Sequence, residues 1–305
     1  MERGLLSDKK LAEFYDDVVW LYLYQDFSDS PADRVAQRVA IRFGISAWPQ
    51  HFLVDPYTLE VIADTGRNLA SFANAAGRAK VGKPGALTPK ALREADARAA
   101  KLEDDLTDER ATAALRDKDI VVRYRALQHL KESRPEAIVA AAGSLLNQPN
   151  DQVRFLVCEI LSTHGKPEHE EILVSLVRDP AGSKNPNVLR IRAVAALGHL
   201  GKTEKAVEAI RPYALAGDWF NGLTSTAINA LAAIGIRSGD HRAAVHEILI
   251  ASYPAPPAPD DPRTSRACRA LAMRVHRALE RLNGKSVPFP ETYDNAARTS
   301  LRDAW

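Results

Sequence analysis

The chain has 305 residues, 46% apolar and 26% charged, enough for two ordinary domains with real cores. A net charge of only +2 excludes a strong overall field toward nucleic acid or anionic membrane. Two cysteines far apart, Cys158 and Cys268, exclude a disulfide framework and a cysteine-based zinc site, and leave the compartment open.

Met1-Glu2-Arg3 runs into a polar helix and not into an apolar leader. The localisation stays unknown: cytoplasmic is expected as written, and extracytoplasmic if a signal peptide lies upstream of a misplaced start. Ser7 can cap a first helix with apolar positions Leu11, Phe14 and Tyr15. The run "VVWLYLY", residues 18–24, has the composition of a buried strand and is too short to span a bilayer. Ser30-Pro31 opens a second helix with Val35, Val39 and Phe43 on one face, closed by Gly44. "HFLVD", the turn "PYT" and "LEVIAD" predict a β-hairpin, and "NLASFANAAGRAK" predicts a helix after it.

"GKPGALTPK", residues 82–90, has linker composition, and Thr88-Pro89 is a helix-start signal. Beyond residue 89 strand signals vanish and helical periodicity runs to about residue 283, with a proline-rich loop at 252–262. The last dozen residues could form one more helix. The expected segments are therefore 1–81, a linker and connecting helix at 82–103, repeats at 104–284 and a tail at 285–305.

The helical part repeats a phrase. An apolar residue precedes a key position, a small or apolar residue follows three later, and leucine follows seven later. The copies are Val122-Arg123, Ala126, Leu130; Val153-Arg154, Val157, Leu161; Leu189-Arg190, Ala193, Leu197; and Leu223-Thr224, Ala227, Leu231. Their spacings are 31, 36 and 34 residues, and each has an upstream helical segment: 111–116, 138–146, 172–177 and 206–213. A further copy pairs 243–249 with Cys268, Leu271, Ala272, Val275, Leu279 and Leu282. A helical hairpin of this size cannot cover both apolar faces alone, so neighbours must stack.

This part, over roughly residues 104–284, resembles the HEAT-repeat family in its short bacterial, PBS-lyase-like form. The resemblance implies an all-α, armadillo-type superhelix whose concave face takes a protein partner. It also implies a ladder between repeats, with Arg123, Arg154 and Arg190 as its basic members and Asp119 and Asp151 as its acidic ones. Thr224 departs from that pattern, so the ladder is expected to stop there.

Residues 1–81 resemble the second half of a thioredoxin-like domain, on the order of elements and on "FGISAWPQHFLVD", residues 43–55. The resemblance implies a cis peptide bond between Trp48 and Pro49, in the loop that faces the dithiol in that family. A trans turn with a core-filling indole is the plainer alternative. Trp48 stands where the family has a small or polar residue. No Cys-x-x-Cys is present, and Met1-Glu2 with Ser7-Asp8 would match positions just after it. The resemblance thus implies a late start, missing first strands, and a redox-inactive, imperfect sheet. The fold class expected for the whole is an α/β partial thioredoxin-like domain followed by an all-α HEAT-like superhelix.

No catalytic constellation or cofactor motif is legible. "GHLGKT", residues 198–203, imitates a phosphate loop, but Ala196 stands where the motif needs glycine and a helix precedes it. His164 with His169, and His241 with His246, are five apart, the wrong spacing for two ligands on one helix face, and are expected at the surface. Both cysteines lie in helices, where core packing is their default role. Arg263, Arg266, Arg274, Arg277 and Arg281 fall on one helix face and form a basic patch, either solvated or able to hold phosphate or an acidic partner. Three functions follow. The first is a non-catalytic protein-interaction scaffold, and the second a truncated thiol–disulfide oxidoreductase with its dithiol upstream of Met1. The third, a nucleic-acid binder, is disfavoured by the low net charge and by the lack of aromatic residues in the stripe.

Overall fold

The structure, a computed structural model, describes residues 9–14, 30–45, 51–55, 61–65, 68–79, 89–148, 150–183, 185–218, 222–257 and 262–305. The chain divides into two compact units, Met1–His129 and Leu130–Trp305.

In the first unit a 3-10 segment, Lys9–Phe14, precedes helix α1, Pro31–Phe43. Ser30 caps α1 by accepting the Asp33 amide at 3.1 Å, and Gly44 ends it in the left-handed region at φ 66°. Strand β1, Phe52–Val54, pairs antiparallel with β2, Val61–Asp64, in the register Phe52 to Asp64 and Leu53 to Ala63. Helix α2, Leu69–Arg78, follows. Leu11, Leu53 and Phe72 form a small core here, with Phe14 edge-on to Phe72 at 5.1 Å between centroids. The sheet among the described residues has two strands. "VVWLYLY" and the Trp48-Pro49 bond lie outside the described residues.

Helix α1 corrects one expectation. Its buried positions are Asp33, Ala36, Ala40 and Ile41, and Val35 is 51% exposed. The reason is ionic. Arg38 and Arg42 reach Glu103 and Asp96 of helix α3, Pro89–Asp104, at 3.0 and 3.2 Å. Arg42 also meets Asp119 at 2.8 Å. These pairs turn the small-residue side of α1 inward, where alanines permit close approach. Helix α4, Asp108–Ala114, and helix α5, Ile120–Ser133, complete the run into the second unit.

The second unit is helical hairpins. The pairs are α6 (Pro135–Leu146) with α7 (Asp151–His164), α8 (Glu170–Arg178) with α9 (Pro186–Leu200), α10 (Glu204–Leu215) with α11 (Gly222–Arg237), and α12 (Arg242–Ala251) with α13 (Pro262–Asn283). Each pair packs within itself. Second helices pack in sequence, α7 on α9, α9 on α11 and α11 on α13, and first helices do likewise, α8 on α10 and α10 on α12. That is nearest-neighbour stacking, in which each repeat hides the apolar side of the next. The repeated frame is its core: Leu130, Val153, Val157, Leu161, Leu189, Ala193, Leu197, Leu223, Ala227 and Leu231 are all buried, and in the first unit Val122 and Ala126 of α5 are buried as well. So are Cys268, Leu271, Ala272, Val275, Leu279 and Leu282 of α13. "GHLGKT" is the end of α9 and the turn after it, and Gly198 lets α9 lie against the backbone of Ala230 in α11.

The tail folds back. Helix α14, Asn295–Ala304, ends the chain, capped by Asp294 on the Ala297 amide at 2.7 Å. The Tyr253 hydroxyl and His276 Nδ1 lie 3.0 Å apart, and Trp305 Nε1 donates to the same hydroxyl at 3.1 Å. His276 Nε2 is 2.6 Å from the Val287 carbonyl. A carbonyl only accepts, so Nε2 carries a proton and donates it to Val287. Arg298 donates to the Tyr253 carbonyl at 3.0 Å, and Tyr293 donates to the Pro254 carbonyl at 2.8 Å. These bonds close the last hairpin with chain that the periodicity of the repeats does not reach.

Candidate functional site

The frame arginines sit where each second helix begins, beside the end of the first helix of the same hairpin. Four carbonyls at that end have no partner within the helix. Arg123 Nη1 donates to the Asp117 carbonyl, just past α4. Arg154 Nε donates to the Leu146 carbonyl at the end of α6 at 3.0 Å, and its Nη1 donates onward to the Ala181 carbonyl at 2.7 Å. Arg190 Nε donates to the Val177 carbonyl in the last turn of α8 at 3.2 Å and lies over the Tyr213 ring. Burial lowers the pKa of the Arg123 guanidinium, against the opposing pull of Asp119 and Asp117. Thr224, in the fourth copy, is buried.

The two carboxylates take main-chain partners. Asp119 Oδ1 accepts the Val121 amide at 2.9 Å and its Oδ2 meets Arg42. Asp151 Oδ2 accepts the Asn185 amide at 3.0 Å, at the start of α9 in the next hairpin.

Two further links of this kind escaped the sequence reading. Glu170, at the start of α8, accepts the amides of Lys202 and Thr203 at 3.0 and 3.1 Å and the Thr203 hydroxyl, so it caps α10 from the hairpin before. Arg237, at the end of α11, donates to the carbonyls of Gly198 and Gly201 at 3.0 Å each, at the end of α9. Acids thus sit on helix beginnings and arginines on helix ends, as the peptide dipoles require. The signal was present as first-turn Glu and last-turn Arg, but their partners lie 32 to 39 residues away.

His169 is buried and not at the surface. Its Nε2 lies 3.0 Å from the Val139 carbonyl and its Nδ1 faces the Lys166 main chain. No group of three potential metal ligands occurs among the described residues.

Both thiols are core groups. Burial pushes the Cys158 thiol up to about 12, outweighing Arg192 and Arg154, and the Cys268 thiol up to about 11. Burial raises Tyr253 and Tyr293 as well. At pH 7.5 a thiol reagent is expected to label neither cysteine of the native protein while it labels both in guanidinium. All four groups ionise more readily unfolded. Stability is therefore full below the ordinary thiol pKa of roughly 8.5 and falls as pH rises through the folded values. A denaturation series from pH 7 to 10.5 reads that slope.

The exposed side of the second helices is the remaining surface. On α13 Arg263, Arg266, Arg274, Arg277 and Arg281 are all exposed on one face, with Ala270 between them. Arg281 Nη2 donates to Asn229 Oδ1 of α11 at 3.1 Å. Val188, Arg192, Ala195 and His199 line the exposed side of α9, and on α11 Ile236 is 54% exposed. Glu159 of α7 bridges Lys131 at 2.8 Å and Arg192 at 3.4 Å, a charged row that runs across α7 and α9.

Residues 107–185 match a family model described as HEAT repeats. The match begins at the N-cap of α4 and ends at the N-cap of α9; the later hairpins repeat its frame beyond it. No curated protein matches the chain. No helix among the described residues is long and apolar enough to cross a membrane.

Proposed function

We propose that the chain is a non-catalytic protein-interaction scaffold. HEAT repeats generally mediate protein interactions, and here the exposed sides of α7, α9, α11 and α13, the concave side of the superhelix expected from sequence, would take a protein partner. The observation that carries this reading is the side-by-side row of second helices, whose buried sides are used up by neighbours and whose outer sides present Arg192, Ala195, Asn229, Ala233 and the α13 arginines. In this reading Asp119, Arg123, Asp151, Arg154 and Arg190 are framework, since their polar atoms go to helix ends and to other structural side chains. The thioredoxin-like module in front is part of the same proposal. The order α1, β1, β2, α2 fits the second half of that domain, and the chain supplies no dithiol for redox work.

The test is capture of a partner by the full chain, repeated with Ala195→Arg and Ala233→Arg. Both residues lie on the outer side of the second helices, at an exposed and a half-buried position. Loss of the captured protein with retained helicity supports the reading. Capture that ignores both changes, and is instead lost on altering the outer side of α10 at Glu204 or Glu208, rejects it.

A further inference from the structure

Charge is uneven along the row of second helices. α7 is mixed, with Asp151, Glu159 and one arginine, but α9 carries two arginines and no acid, α11 one arginine and no acid, and α13 six arginines and a single glutamate, Glu280. Glu280 accepts from the Ser286 hydroxyl at 2.9 Å and lies 3.8 Å from His276. The first helices are mixed: α8 has two glutamates and one arginine, and α10 two glutamates, one lysine and one arginine.

The α13 stripe is spaced in steps of three and four, so it stays on one face for 18 residues, about 27 Å at helical rise. Arg266, Arg274 and Arg277 have no ion-pair partner among the described residues. Arg281 has a neutral one, Asn229, so its charge is positioned without being cancelled. Like charges three and four apart repel by a few tenths of a kcal/mol per pair. Folding alone does not call for such a row.

Resting on the scaffold reading, we propose that this face binds an acidic amphipathic segment of a partner protein, with Arg266, Arg274, Arg277 and Arg281 taking its carboxylates. Guanidinium forks match carboxylates two bonds at a time. Glutamates at helical spacing on a segment laid along α13 meet the stripe in register. Ala233 and the exposed Ile236 on α11 and Ala270 on α13 give the apolar side of such a segment ground beside the charges. A polynucleotide fits less well. α9, α11 and α13 contain no aromatic residue for bases to stack on, and a net charge of +2 gives little long-range attraction to a phosphate chain.

The experiment uses the full chain and a fluorescein-labelled 18-residue helical peptide with glutamate along one side and leucine along the other. Controls are its glutamine counterpart and a 20-base-pair DNA duplex. The glutamate peptide is expected to bind with salt-dependent affinity, at least tenfold tighter than either control. The triple variant Arg266→Glu, Arg274→Glu, Arg277→Glu is expected to lose at least tenfold with unchanged helicity. Should that variant fail to fold, the Gln triple variant gives the same reading with a smaller loss. Equal binding of both peptides, no effect of the arginine changes, or tighter binding of the duplex overturns the proposal. A captured partner that is lost with Ala195→Arg and Ala233→Arg but indifferent to the arginine triple leaves the scaffold reading standing and removes this one.

Discussion

Arg154→Met is expected to cost about 3 kcal/mol of folding stability, and Arg192→Met less than about 1 kcal/mol. The two arginines lie on neighbouring second helices and carry the same charge. Arg154 is 6% exposed, and its two main-chain bonds join the end of α6 to the turn after α8. Methionine fills the space of its stem but leaves two carbonyls without a donor, one of them deeply buried. A charged donor to such a group contributes about 1.5–3 kcal/mol. Arg192 instead meets Glu159 at 3.4 Å with both side chains well exposed, where screening and side-chain entropy consume most of the attraction. Urea titration of the two variants at pH 7 gives the comparison. Equal losses would mean that Arg154 acts as a surface charge.

Gly198→Ala is expected to destabilise and Gly143→Ala to stabilise, although both glycines lie inside helices. Propensity alone favours alanine at each by about 1 kcal/mol. A Cβ at Gly143, in α6, meets nothing within 4 Å, so that gain is realised. A Cβ at Gly198 would stand 2.9 Å from the Ala230 Cα and 3.0 Å from its Cβ. Neither atom can swing aside, so α9 and α11 must separate. Forced separation in a packed core costs about 1–3 kcal/mol, and Gly198→Val should exceed Gly198→Ala. Thermal unfolding of the three variants reads the signs directly. A stabilising Gly198→Ala would show that α9 and α11 do not pack as closely as described.

The repeats were legible because their core is written at a fixed period. Every apolar member of the four-copy frame is buried, and the hairpin partners fall within a few residues of the expected ranges. The helix-end links were less legible. Asp151 Oδ2 accepts a main-chain amide of the next hairpin, and Arg154 donates to two main-chain carbonyls. Main-chain partners leave no mark on composition. The buried side of α1 is less legible for a related reason: hydropathy points to Val35, whereas Asp33, Ala36, Ala40 and Ile41 face in, alongside the salt bridges of Arg38 and Arg42. His276 went unremarked because its partners, Tyr253, Val287 and Trp305, lie on both sides of α13 in sequence and only the fold of the tail joins them.

The account stands on consecutive stacking of the second helices, and spin labels can measure it. Labels would be placed at 159, 229 and 281, on the outer sides of α7, α11 and α13. With α9 lying between α7 and α11 and interaxial spacings of 8–10 Å, the 159–229 pair is expected at roughly 20 Å and the 159–281 pair at roughly 30 Å. A 159–281 distance no longer than the 159–229 distance would mean that the helices close on one another as a bundle, and the stacked-hairpin account would be wrong.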